Sequence, residues 1–417
     1  MLSDEDNAML CRVGPGTPMG RFMRRFWVPA LRAAALEAGG APRKLRLLGQ
    51  DFVAFRGHDG RVGVLDENCP HRGVSLTLAR NEDCALTCVF HGWRIDADGR
   101  VIDVPAEPAE HRAQFAARVT AKAYPARDRA GIVWVWLGAG AAPALPNFAW
   151  MTLPDGHIGS RVGLIHASWL NGLEGQLDSA HVGILHQDWV KMLPGQARDL
   201  ELAAFDLSPR FEFEEKPYGY REAAVRNTPE GSLYVRIREF VAPWYSFIPS
   251  FGGLDSTHLV AMSIPVDDEY SLQWDLFYNP VTPLTRGNFD DGTDPDDLAR
   301  GMGGIDRRFG QDRRRMRAGS FSGFGVLRHE DYAVAMAQGV WADRAKEQLS
   351  SSDAPIVRAR RHLLAAARAT APDDAPPAAL ELGRVRGFSE MIPRDRDWRA
   401  LPVHGPEAYA GDADLAE

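Results

Sequence analysis

Residues 69–91 read CPHRGVSLTLARNEDCALTCVFH and contain Cys69-x-His71 and Cys88-x-x-His91, with sixteen residues between His71 and Cys88. The chain has only four cysteines, and two of them stand here beside imidazoles. Each pair sits in a run built for a tight turn, Cys69-Pro70-His71-Arg72-Gly73 and His91-Gly92-Trp93. A fold that uses both must bring two loops to one point, and the simplest occupant of that point is a metal. Zinc takes two thiolates and two imidazoles readily. In a zinc finger, however, one knuckle supplies both cysteines and one helix both histidines, whereas each loop here supplies one of each.

That division suits a Rieske [2Fe–2S] cluster, in which one iron takes two thiolates and the other two imidazoles. Zinc on the same four residues, or four unrelated side chains in a β-domain, are the competing readings. The neighbours of the ligands include Val74 and Val89 rather than further cysteines, so no disulfide joins the loops and the cluster belongs to the low-potential kind. Cys84 and Cys11 read as buried thiols.

A second metal centre is indicated by SWLNGLEGQLDSAHVGILHQDW (168–189). Asp178 and His181, three apart, share a helix face. His181 and His186 are five apart, about 140° around a regular helix. For both to bind one ion the helix must distort, through a π-type bulge or a break near Gly183. Two imidazoles and a carboxylate leave open positions on Fe(II), the facial triad of non-heme oxygenases. The carboxylate candidate is Asp331 in GFGVLRHEDYAVAMAQG, with His329 and Glu330 as competitors.

The surroundings fit a two-part α+β chain. KLRLLGQDFVAFRGHDGRVGVLD (44–66) and RIDADGRVIDVP after His91 read as hairpins turning at Asp59-Gly60 and Asp98-Gly99. GIVWVWLG (131–138) reads as a buried strand, and GAGAAPALP as a linker. Residues 166–186 read as helix, and four later segments between 210 and 281 alternate as antiparallel strands. Helices are expected near 330–349 and 355–370, with the last forty or so residues along the surface. The expected domains are an N-terminal segment, 1–43, packing with the catalytic domain; a β-rich Rieske domain, 44–140, inserted after it; and a helix-grip-like catalytic domain with an antiparallel sheet, 141–417.

A net charge of −8 without a basic stripe disfavours nucleic acid. No run of eighteen apolar residues suggests a membrane span, and the acidic N-terminus lacks a secretory pattern. A reduced cytoplasm is the expected setting.

Over nearly its whole length the chain resembles the Rieske non-heme iron aromatic-ring-hydroxylating oxygenases, in particular the phthalate 4,5-dioxygenase-like terminal oxygenase alpha subunits. RVGPGTPMGRFMRRFWVPAL, DENCPHRGVSLTLARNEDCALTCVFHGWRID, WLNGLEGQLDSAHVGILH and EDYAVAMAQGVWADRAKEQLSSSD carry the likeness. It implies Cys69, His71, Cys88 and His91 as cluster ligands and His181, His186 and Asp331 as iron ligands. It implies Asp178 as the acid linking one subunit's cluster to its neighbour's iron, hence a homotrimer or a multiple of trimers. O2 would be co-substrate. NAD(P)H would act only through a separate reductase, since no GxGxxG, flavin or plant-type ferredoxin pattern occurs in the chain. Ser168 and Met336 depart from the family's usual Asn and Glu. An aromatic acid is the expected substrate, with Arg236, Arg238 and Ser179 as pocket candidates and Arg210 and Arg226 behind them. O-demethylation of a methoxylated aromatic acid and a non-catalytic electron carrier are the alternatives.

Overall fold

The computed structural model describes residues 2–190, 197–249, 256–285, 293–371, 374, 376–377 and 380–401. The chain forms two compact units. One is Val13–Leu145 with Thr370–Ala378; the other is Met1–Arg12 with Pro146–Ala369 and Ala379–Glu417. The expected 1–43 segment is therefore divided. β1 (Trp27–Arg32) pairs antiparallel with β10 (Ile132–Trp136), which ties it by backbone hydrogen bonds into the unit that carries the Cys/His loops. Only Met1–Arg12 lies with the later unit, where the Trp169 indole donates to Leu10 O at 2.9 Å.

In the first unit, β2 (Arg43–Leu47), β3 (Gln50–Arg56) and β4 (Val62–Asp66) form a meander. A second sheet holds β5 (Arg80–Glu82), β6 (Ala85–Thr87), β7 (Arg94–Asp96) and β8 (Val101–Asp103); β9 (Ala126–Arg129) completes the sheet of β1 and β10. Both expected hairpin turns form, with Gly60 and Gly99 at positive φ. The β5–β6 turn puts Asp83 and Cys84 at φ +46° and +57°, the twist that matches flanking antiparallel strands. Cys84 is thereby only half-buried, a correction to its expected burial. Leu65, Leu76, Leu86, Trp93 and Ile95 pack into one core with Cys69 and Cys88.

The second unit is built on one antiparallel sheet: β11 (Ile158–Ile165), β12 (Arg210–Lys216), β13 (Gly219–Asn227), β14 (Leu233–Val241), β15 (Tyr245–Ile248), β16 (His258–Pro265) and β17 (Ser271–Tyr278), in the order β11-β17-β16-β15-β14-β13-β12. Beyond the expected strands, β18 (Phe388–Ile392) pairs with Leu233–Ile237 of β14, while Glu239–Val241 pairs with β15. The C-terminal region thus completes the sheet instead of only lying over it. Val235 and Ile237 of β14 pack with Phe388, Ile392 and Trp398 on one face, so alternation turns Arg236 and Arg238 to the other.

On that other face lies the helix Trp169–Leu177. Ser168 caps it, its hydroxyl accepting from Leu170 N–H. The Ser263 hydroxyl donates to Trp169 O at 2.6 Å. Gly172 permits the approach, since a Cβ there would stand 2.4 Å from the Gln273 amide. Buried Glu174 pairs with Arg344 at 2.8 Å and Arg360 at 2.6 Å, fixing the helix that leads into the site.

Candidate active site with two metal-binding constellations

The two Cys/His loops are one turn used twice. Cys69 N–H donates to Val74 O and Gly73 N–H to Cys69 O; Cys88 N–H donates to Trp93 O and Gly92 N–H to Cys88 O. The glycine four residues after each cysteine sits at φ +73° and +72°, a conformation glycine adopts without steric cost. Each turn places its histidine beside the other loop: the His71 and His91 rings lie 4.6 Å apart, and His71 stacks on Trp93 at 4.6 Å and 7°. Both cysteines are buried, whereas His71 is exposed and His91 half-buried.

These residues fit the cluster. Among the described residues the buried His91 Nδ1 has no hydrogen-bond partner, as expected of a nitrogen reserved for a metal. Burial pushes the Cys69 thiol up, reinforced by Cys88 beside it. Two sulfurs so placed favour a cation that takes them as thiolates.

In the second unit, the expected helix over 166–186 breaks at Asp178, earlier than the expected break near Gly183. Asp178 is extended at φ −80°, ψ 114°, and Val182–Leu185 then forms a separate short helix that starts after His181. Gly183 stays helical, and its role is packing: a Cβ there would lie 2.4 Å from Ala203 O. The break, not a shared helix face, joins Asp178 to His181. Asp178 Oδ1 accepts from Ala180 N–H at 2.7 Å, which turns the chain, and Oδ2 lies 3.4 Å from His181 Nδ1. Two arginines from the sheet hold the break on either side, Arg238 donating to Leu177 O and Arg226 to Ser179 O at 2.8 Å.

His181, His186 and Asp331 come together, one ligand atom from each lying within 4.8 Å of the others. Asp331 Oδ1 is 3.6 Å from His181 Nε2 and 3.1 Å from His186 Nε2. Its other oxygen is engaged by Arg328 at 3.1 Å. Asp331 lies in the helix Leu327–Ala337. Its two competitors point elsewhere: His329 Nε2 lies 2.9 Å from Leu298 O, and Glu330 accepts from His186 Nδ1 at 2.6 Å. Neither Ser168 nor half-buried Met336, packed against the Ile165–Tyr332 core, belongs to this group.

The electrostatics are those of a cation site. Burial alone would lower His186, yet Asp331 and Glu330 outweigh it and raise the imidazole to about 9. Asp331 is pushed up by burial, but His186, Arg328 and His181 bring its carboxyl far below the usual range. Two imidazoles and one carboxylate, each offering a single atom to one point, match a facial Fe(II) triad.

The triad opens on a cavity of about 1190 Å³, walled in part by Leu185, Leu259, Phe277, Arg236 and Arg238. Arg236 and Arg238 thus face inward. Arg238 also holds Leu177 O and lies 3.7 Å from Glu222. Ser179 is buried but does not line the cavity. Arg226 is taken up by Ser179 O and Asp206 O, and Arg210 is exposed on β12 beside Glu212. Arg328, Asp275 and Asn279, none of them a sequence candidate, line the cavity as well; only nearness to Asp331 in the sequence could have pointed to Arg328.

Against known families, residues 26–127 match the Rieske [2Fe-2S] domain and residues 135–414 the LigXa C-terminal domain like family. The oxygenase subunit of phthalate 4,5-dioxygenase from Pseudomonas putida is 36% identical over 96% of this chain and 94% of its own. The chain belongs to the Rieske non-heme iron oxygenases. The oxygenase subunit of 3-chlorobenzoate-3,4-dioxygenase from Comamonas testosteroni is 34% identical to this Rieske oxygenase over 95% of the chain and 97% of its own length. The terminal oxygenase of carbazole 1,9a-dioxygenase from Nocardioides aromaticivorans shares the fold, with a TM-score of 0.58 and 19% identity over 87% of this chain and 96% of its own. The cofactors of this oxidoreductase are a Rieske [2Fe–2S] cluster and mononuclear iron.

Proposed function

We propose that this Rieske oxygenase is the component that places oxygen from O2 into an aromatic carboxylic acid, with Cys69, His71, Cys88 and His91 holding the cluster and His181, His186 and Asp331 the mononuclear iron. The observation that carries the reading is the convergence of three ligand atoms on the wall of a cavity large enough for an aromatic ring. When bound, the cluster supplies electrons singly and the mononuclear iron supplies the site of O2 activation.

The chain's own residues do the rest. The Asp178 carboxylate, 3.4 Å from His181 Nδ1, favours a proton on that nitrogen and so leaves Nε2 to face a metal. Arg328 occupies one oxygen of Asp331, so that carboxylate serves through the other. Leu185, Leu259 and Phe277 on the cavity wall keep water from the reacting centre. Arg236 is the candidate to hold a substrate carboxylate in a two-pronged charge-assisted contact. Support for an acid also comes from the phthalate and chlorobenzoate enzymes among the relatives.

Electrons come from a separate reductase, because the chain's remaining two cysteines cannot hold a four-thiolate cluster. Asp178 is the group suited to pass them from a neighbouring subunit's cluster, in a homotrimer or a multiple of it. Two features support that path: exposed His71 and a partly accessible Asp178 carboxylate.

The test is a single turnover. Chemically reduced protein is mixed with O2 and a panel of aromatic acids, and products are weighed. A product two oxygens heavier, without formaldehyde, supports ring dioxygenation. Formaldehyde with a demethylated phenol moves the reaction to O-demethylation; the oxygenase subunit of 5,5'-dehydrodivanillate O-demethylase from a Sphingobium is 33% identical over 57% of this chain. No product from any acid removes the carboxylate assignment.

A further inference from the structure

Of the buried ionisable groups that the reading above does not use, Glu330 is the one tied most closely to the chemistry. Its side chain is 0% exposed, and both its oxygens are engaged. Oε1 accepts from the Ser322 hydroxyl. Oε2 accepts from His186 Nδ1 at 2.6 Å and from the Trp189 indole N–H at 3.1 Å. A carboxylate accepts here, so Nδ1 of His186 carries a proton and Nε2 is the nitrogen left to give up its own and offer a lone pair to a metal. That Nε2 is the atom 3.1 Å from Asp331 Oδ1.

We propose that Glu330 is the positioning residue of the mononuclear site, locking the tautomer and ring plane of His186 so that Nε2 meets the iron. The inference rests on the assignment of His181, His186 and Asp331 as the triad. Consecutive residues of a helix point about 100° apart, so the Leu327–Ala337 helix can aim Asp331 at the near side of the histidines and Glu330 at the far side of one. Ser322 and Trp189 brace the carboxylate from two directions. Gln311 in turn donates to Ser322 O at 2.8 Å, so the support runs on into the 311–324 segment. Asp178 stands farther off, 3.4 Å from His181 Nδ1, and is partly accessible, whereas Glu330 is sealed.

The experiment compares wild type, E330Q, E330L, D331N and H186A as full chains with the Rieske cluster in place. After selective removal of the mononuclear metal, Fe(II) affinity is titrated and the absorption bands of Co(II) in the same site are recorded. Loss of such a hydrogen-bond partner weakens metal affinity by roughly 10- to 100-fold. The expected order is therefore wild type, then E330Q, whose amide oxygen still accepts from Nδ1, then E330L, with altered Co(II) bands in E330L and unchanged cluster absorbance throughout. A lower melting temperature with wild-type Fe(II) affinity and Co(II) bands would make Glu330 merely structural and overturn the proposal. Fe(II) binding lost in E330Q but kept in D331N would make Glu330 itself a ligand, which also overturns it. Wild-type affinity in H186A would instead remove the triad assignment, and the proposal with it.

Discussion

Replacing Glu222 by Gln should make the protein more stable at alkaline pH. Glu222 on β13 stands directly across from Arg238 on β14, is 0% exposed, and among the described residues neither of its carboxylate oxygens has a hydrogen-bond partner. Burial drives its carboxyl up from 4.5 to about 7, against the opposing pull of Arg238 at 3.7 Å. A raised acid binds its proton more tightly in the fold than in the unfolded chain. It adds no pH dependence below pH 4.5, where both states are protonated. Between pH 4.5 and 7 the unfolded chain loses its proton first, so stability falls as pH rises. Above 7 the loss is complete, at 1.36 kcal/mol per unit or about 3 kcal/mol in all. Gln cannot ionise, so the E222Q variant keeps that free energy. At about 2.1 cal/mol/K per residue, the gain is about 5 °C in a unit of this size. Thermal denaturation from pH 5 to 8.5 should show the two proteins converging at the acid end and E222Q ahead by about 5 °C at the alkaline end. A difference that does not change with pH would mean that Glu222 holds its proton no more tightly in the fold than in the unfolded chain. Glu239, also raised to about 7 by burial, leaves a residual slope in both proteins and cancels in the comparison.

Other substitutions test the site piece by piece. Gly183→Ala puts a methyl 2.4 Å from Ala203 O; chemical denaturation should show a loss of about 1–3 kcal/mol, and dialysis a faster loss of mononuclear iron. Cys88→Ser should abolish the visible absorption of the cluster while leaving mononuclear Fe(II) binding in place, because the two sets of ligands lie in separate compact units. Arg236→Met should raise KM for an aromatic acid by roughly 10- to 100-fold, the worth of a hydrogen bond to a charged group, with iron content unchanged; an unaltered KM places the carboxylate elsewhere.

The cluster loops were the most legible part of the chain, because their chemistry is local: ligand type, spacing and turn residues all lie within Cys69–Trp93. The antiparallel sheet was legible by alternation, and so was the face that Arg236 and Arg238 share, though not that it turns inward. What failed was long-range. Nothing near residue 27 shows that Trp27–Arg32 pairs with Ile132–Trp136, so the N-terminal segment was kept whole although it divides after Arg12. The helix was expected to break near Gly183 because glycine is the local signal. The actual break at Asp178 is held by Arg226 and Arg238, which come from strands some fifty residues on. Those same arginines looked like substrate ligands, since alternation gives the face of a side chain but not its partner. Asp331 and Glu330 were separable only in three dimensions, where each reaches a different nitrogen of His186.

The central claim is that His181, His186 and Asp331 hold an iron distinct from the cluster. Iron per chain, measured in the wild type and in the D331A variant alongside cluster absorbance, tests it most directly. Wild-type protein should hold two cluster irons plus one mononuclear iron, and D331A should lose only the mononuclear one with the cluster spectrum unchanged. Wild-type protein with cluster iron alone, or D331A that keeps its full complement, would contradict it.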